Sequence, residues 1–345
     1  MEQESGKNST NLQIGGNLNI GISATEARQI ALDIFKANSY EFSEKAAKKA
    51  LERVEEITDE FIHKFYSQIP HLENKLEEPS VQSSIFTTQK EFAKSGNTDL
   101  KEQLLDLLIQ RINSDERSLK QIVLDEAIIL LPKLTKDQIN LLTLIFSAIY
   151  FNHRDILNLE QFNDYINNKL VIFHPKIKTS YSFFTHLQYT GCCTILSEGS
   201  TYKPLKQIFQ SRYKALFTKG FTQQQLQEEF NENLPQLNPL LINCLRNPIL
   251  LQFNSLNDEV FNSKISELNL GQLGQRAIDF ENKFLMNEQE IEDYIISINS
   301  DFIKLSSDWN EKDLKTIRPT SVGFAIAIAN YNRLTNSNID FESFI

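Results

Sequence analysis

Helix breakers are scarce in this chain, with only 11 Gly and 9 Pro among 345 residues. That scarcity disfavours a fold of short strands and tight turns and favours long helices. Cysteine is scarcer still: three residues, an odd number without ligand-like spacing. This excludes a disulfide framework and a cysteine-based zinc site and fits a reducing, cytoplasmic setting. No apolar run reaches the roughly 20 residues of a membrane helix, and the longest, Leu141–Phe151, reads as a buried core helix. Met1–Lys7 carries acids with no apolar core behind it, so no secretory leader is expected. Cations are in deficit, 35 Lys and Arg against 45 Asp and Glu, for a net charge of −10 and a pI near 5.2. A surface given over to nucleic acid is therefore disfavoured, although a local basic patch is compatible with the balance.

What is present begins at Asn11–Ile22. Leu12, Ile14, Leu18, Ile20 and Ile22 share one parity, while Asn11, Gln13, Asn17 and Asn19 take the other. A period of two is the signature of a strand with one apolar face. A two-residue loop at Gly15-Gly16 would set Ile14 opposite Asn17 and mix the faces. A three-residue loop over Gly15-Gly16-Asn17 pairs Ile14 with Leu18 and Leu12 with Ile20, and one continuous strand pairing between chains also keeps the apolar side intact. An isolated hairpin is marginal in water, so either form needs a partner surface. The expected surface is a second copy, with docking on the chain's own body or a disordered tail as the alternatives.

The remainder reads as helix. Ser23 with Glu26 forms a capping box, followed by Ala27, Ile30, Ala31 and Ile34 on one face. Ser43 opens a helix to about Gln68, before Pro70, with Ala47, Ala50, Val54, Ile57, Phe61 and Phe65 in one stripe. Further helices are expected at 79–94, 98–112, 117–131 and 136–151, the last capped by Thr135 with Gln138. Asn158 with Gln161 starts another to about 169, before an extended piece at Leu170–Phe173. Tyr181–Tyr189, a β-like run Cys192–Leu196, a turn at Ser197–Ser200 and a helix from Pro204 to Phe217 follow in an order compatible with a small winged-helix-like element. Thr222 with Gln225 caps a further helix, Asn287–Ser307 reads as a long acidic one, and Thr320 begins the last.

Two stretches carry a resemblance. Gln13-Ile-Gly-Gly-Asn17 through Gly21-Ile-Ser-Ala-Thr-Glu-Ala-Arg-Gln-Ile-Ala-Leu-Asp-Ile-Phe-Lys-Ala-Asn38 resembles the opening of a family of uncharacterised bacterial proteins. Similar N-terminal segments precede different bodies in other bacterial proteins. The specific match covers residues 13–66, and the rest of the chain is compatible with the same family. Leu314-Lys-Thr-Ile-Arg-Pro-Thr320-Ser-Val-Gly323 is similar to the L-x-L-T-x-x-G ending of abortive-infection-type bacterial proteins, departing from it at Arg318-Pro319, where an apolar residue usually precedes the Thr. Neither resemblance brings catalytic residues.

Motifs of chemistry mostly fail on context. His153-Arg-Asp155 spells a kinase triplet, but Glu160 stands where the metal-binding Asn belongs and no glycine-rich loop or DFG accompanies it. Gly15-Gly16 lacks the Gly-Lys-Ser/Thr of a phosphate loop. Glu60 and His63 have di-metal spacing without the second copy such a site needs. Cys192-Cys193 reads as a pair of buried small hydrophobes. Asp125 and Glu126 can both reach water. No metal or cofactor is implied. The strongest positive signal is Lys203–Lys219, where Lys203, Lys206, Arg212, Lys214 and Lys219 have no acid between them and Phe209, Tyr213 and Phe217 form an apolar stripe. That window is either a site for a partner or nucleic acid, or a face offset by the acids of Glu288–Asp301.

The expectation is a mainly α-helical protein divided as a β arm over 1–22, a helical domain over 23–173, the winged-helix-like element over 174–220 and a C-terminal helical domain over 221–345. Its expected role is that of a non-enzymatic, cytoplasmic, self-associating interaction protein of bacterial anti-phage defence, engaging a phage or host protein. The alternatives are a nuclease or other hydrolase without a linear motif, and a nucleic-acid-binding regulator using 203–219.

Overall fold

Ser23 and Glu26 close their reciprocal box: the Ser23 amide donates to Glu26 Oε2 at 2.8 Å, and the Glu26 amide to Ser23 Oγ at 3.2 Å. Helix α1 (Ala24–Asn38) starts there. The computed structural model describes residues 23–38, 44–115, 117–175, 180–197, 199–311 and 313–344. Leu12, Ile14, Leu18, Ile20 and Ile22, the expected self-association face, lie outside them.

The chain forms two compact units. In the first, residues 1–101 with 108–113, α2 (Glu44–Gln68) buries Ala50, Val54, Ile57, Phe61 and Phe65, the stripe that its periodicity marks. Helix α3 (Pro79–Ser95) ends at Gly96, whose φ of 60° supplies the left-handed cap, and α4 (Thr98–Ile112) is capped by Asn97, which accepts from Leu100 N. Helices α1, α2 and α3 pack together. Their polar tie is Gln89, whose Nε2 donates to Ala31 O at 3.1 Å and Thr58 Oγ1 at 2.9 Å. A buried amide that bonds two other helices fixes their register, because sliding either one would strand it.

The second unit spans residues 102–107 and 114–345. Ser118 caps α5 (Leu119–Leu130), and Thr135 with Gln138 boxes the start of α6 (Lys136–Ile145). Helix α6 then widens into a π-helical turn at Phe146–Tyr150, and α7 (Leu159–Asp164) does the same at Tyr165–Leu170. After α8 (Tyr181–Tyr189), strand β1 (Cys193–Ile195) precedes α9 (Leu205–Arg212). Next come α10 (Gln223–Phe230), α11 (Leu234–Leu237), strands β2 (Leu241–Asn243) and β3 (Leu251–Phe253), α12 (Asp258–Glu267) and α13 (Gly271–Asn282). The chain closes with α14 (Glu288–Ile298), α15 (Phe302–Glu311), β4 (Ile317–Pro319) and α16 (Ser321–Thr335).

Helix α16 packs on α5 and α6 and buries every residue from Val322 to Tyr331. This covering is what the continuous apolar run of α6 demands, and it ties residues 119–150 to the far end of the sequence. A second apolar cluster, which includes Phe221, Leu226, Phe230, Leu237, Phe253, Phe261, Ala277 and Phe280, gathers α10 to α13 around the β2–β3 hairpin.

Three local expectations are corrected. Leu170–Phe173 is not extended: Val171–Phe173 is a 3-10 turn running on from α7. Within 174–220, β1 pairs antiparallel with β4 from outside that run, Cys193 facing Pro319 and Ile195 facing Ile317. The helix of that run stops at Arg212, since Tyr213 adopts φ −125°, ψ 43° before a 3-10 turn at Lys214–Phe217. The acidic helix is two helices, broken where Asn299 takes an extended conformation.

Candidate functional site

The basic window meets acids from elsewhere in its own chain. Lys206 bridges Glu292 at 2.9 Å and Glu288 at 3.4 Å, and Lys219 reaches Glu290 at 3.1 Å, so the cations of α9 and its extension face the acids of α14. The bond to Glu292 raises the Lys206 pKa above the ordinary lysine value. Gln207 and Gln210 extend the contact to Glu288 Oε1 and the Met286 carbonyl. Lys203 is exposed, and its carbonyl accepts from Trp309 Nε1 at 3.0 Å. Phe209, Tyr213 and Phe217 are all buried. Within the window, Lys206, Lys214 and Lys219 are paired with acids distant in sequence, while Lys203 is exposed. Lys206→Gln and Lys219→Gln should each change stability by under about 1 kcal/mol, as exposed or rim pairs do, measured by urea unfolding at low and high salt.

Arg212 has a different task. Its Nη1 donates to Ala148 O at 3.1 Å and Phe151 O at 3.4 Å, and its Nη2 to Ile149 O at 2.9 Å. These carbonyls end the π-helical turn after α6. A helix end leaves its last carbonyls without intrahelical donors, and here a guanidinium fork supplies them.

Beside that end, nucleophile, base and aromatic side chains converge. Ser147 from the first π turn and His153 after it are 3.5 Å apart, and Ser147 Oγ donates to Lys169 O in the second π turn at 2.6 Å. The His153 ring lies 4.5 Å from Phe151 and 4.4 Å from Tyr165, centroid to centroid, with Tyr331 at 6.1 Å. Burial drives the His153 pKa down to about 3, with Asp155 opposing and Lys169 and Arg212 assisting. A neutral, 1% exposed imidazole beside a serine whose proton is already committed can hold geometry. Paired π turns are common at functional centres, but here they aim Ser147 and Tyr165 into packing.

Two other buried clusters of titratable groups join residues far apart in sequence. His174 Nε2 and Asp308 Oδ2 meet at 2.9 Å across 134 residues. Glu281, 1% exposed, faces Lys214 at 3.8 Å, while Lys214 Nζ donates to Asp258 Oδ1 at 2.5 Å. Glu281 could have been found, since Gly274, Ala277, Ile278 and Glu281 repeat at the spacing of an inward helical face. Cys192 and Cys193 are buried and free, and burial pushes the Cys193 thiol up to about 12. His63 is exposed, and Glu60 pairs with Lys101. Asp125 is half-buried and Glu126 exposed. Among the described residues, no group of three or more His, Cys, Asp or Glu could hold a metal ion, and no helix is long and apolar enough to cross a membrane.

The segment 314–323 gains a structural meaning. Thr320 caps α16 by accepting from Gly323 N at 3.3 Å, and its own hydroxyl donates to Gly191 O at 2.6 Å. The Thr320 amide donates to Cys192 O at 3.0 Å. A Cβ at Gly323 would sit well under 3 Å from that same carbonyl oxygen. The Thr and the Gly of this ending thus form one joint, in which a helix start is seated on the backbone that leads into β1.

A protein-family model described only as a "-like" family matches residues 21–345. No curated protein and no solved structure matches the chain.

Proposed function

The chain belongs to the uncharacterised family whose model spans residues 21–345, and within it we propose a non-enzymatic, self-associating interaction protein of bacterial anti-phage defence, acting in the cytoplasm. The observation that carries this reading is the joint at 314–323. The ending similar to that of abortive-infection-type proteins is the stretch where Thr320 and Gly323 seat the closing helix against Gly191 and Cys192. Support also comes from the N-terminal resemblance and from the unaccompanied apolar face of Leu12, Ile14, Leu18, Ile20 and Ile22. In this reading the arm assembles copies, and the helical body engages a phage or host protein. The regulator alternative loses its best ground, because Lys206, Lys214 and Lys219 are each held by carboxylates of the same chain.

Bacteria carrying the wild-type gene with its native neighbours should plate a panel of phages less efficiently than bacteria whose copy lacks residues 1–22. Equal plating across the panel, with no toxicity on overexpression, counts against the proposal. Cleavage of DNA or RNA by the purified protein, abolished by chelation, would move it to the hydrolase class.

A further inference from the structure

Three elements meet at one buried ammonium in the lobe built around the β2–β3 hairpin. Lys214, 5% exposed, opens the 3-10 turn after α9, Asp258 begins α12, and Glu281 lies on α13. The ammonium's short bond goes to Asp258, whose side chain is 59% exposed. Glu281 is left with the longer contact of 3.8 Å and one backbone donor, the Phe253 amide at 3.4 Å. A carboxylate cut off from water needs several good donors to stay ionised. Glu281 has one weak donor and a cation shared with a rival carboxylate.

We propose that Lys214, Asp258 and Glu281 form a proton-operated clasp, in which Glu281 carries a proton in the tight form of the lobe and its ionisation loosens the seam between the 214–217 turn, α12 and α13. Of the other charges nearby, Arg246 donates from Nε to Leu216 O in the 214–217 turn and lies over the Tyr294 ring. Lys264 of α12 donates to Asn254 O, and Glu229 of α10 takes Arg276 and Lys283 of α13. Strand β3 brings the Phe253 amide and no charge. Burial, the largest cause, raises the Glu281 pKa to about 7, with Lys214 and the Phe253 amide opposing and Asp258 assisting. The sign follows. Between the ordinary glutamate value of 4.5 and about 7 the folded state holds a proton that the unfolded state has released, so stability falls as pH rises through that window. The full loss is present above it. Acid fastens the clasp and alkali slackens it.

The test compares full-length wild type with Glu281→Gln, which keeps the neutral shape, by urea unfolding at pH 5.5 and pH 8.5. The midpoints should draw together as the lower pH is taken down to about 4, below the ordinary glutamate value, should already differ in part at pH 5.5, and the variant's should be distinctly higher at the upper pH. A gap of the same size at both pH values overturns the proposal. A second readout needs no variant to fold: the Glu281 carboxyl carbon of the wild type, followed by NMR, should titrate near neutrality. A midpoint at the ordinary glutamate value also overturns it.

Discussion

Replacing Gly323 with alanine is expected to destabilise the protein by roughly 3 kcal/mol or more, at the upper end of overpacking costs. The effect is steric and comes from one atom. An added Cβ would sit well under 3 Å from Cys192 O and 3.3 Å from Pro319 Cβ. The first obstacle is backbone, which no rotamer change can move. That carbonyl already accepts from the Thr320 amide, and Thr320 also holds Gly191 and the α16 cap. To admit a methyl group, α16 must lift from the strand junction, and α16 is the helix that covers α5 and α6. Urea unfolding reads the loss, and a variant as stable as wild type would show that the joint is slack. A control at the exposed Asn336, which ends α16 with φ 51°, separates this clash from general sensitivity: Asn336→Gly should be nearly neutral or mildly favourable.

Arg212→Met should cost about 3 kcal/mol, the scale of losing charge-assisted bonds while burying their acceptors. Methionine keeps the length and apolar stem but removes the side-chain donors from Ala148 O, Ile149 O and Phe151 O at the end of the π turn. Lysine should recover only part of the loss, because a single ammonium cannot span the three carbonyls that the guanidinium fork reaches. Protection of amides in α6 and its π turn from hydrogen exchange should drop in Arg212→Met. Full rescue by lysine would mean that charge alone, and not the fork, is required.

These two residues mark the limit of what the sequence could say. Helix starts were legible because their chemistry is local: the boxes Ser23/Glu26, Thr135/Gln138 and Thr222/Gln225 each join residues three apart. Buried faces were legible because they repeat, as along α2. Arg212 read as a surface cation because its acceptors lie more than 60 residues upstream. The window around it read as a field without counterions because Glu288, Glu290 and Glu292 come some 80 residues later. The pairing of β1 was hidden for the same reason, since its partner lies at 317–319. Glu281 is the instructive omission: an acid on an inward helical position is a local signal, and it pointed to the one buried carboxylate of its lobe.

The claim on which the functional reading turns is assembly through the arm. Full-length protein, the chain starting at Ser23, and an Ile14→Asp/Leu18→Asp variant can be compared by light scattering, with helical circular dichroism as a check on the body. The full-length chain should have a mass that is a multiple of 39.8 kDa, and both altered forms should fall toward one copy with their helix signal nearly intact. Three equal masses would contradict assembly through Leu12–Ile22.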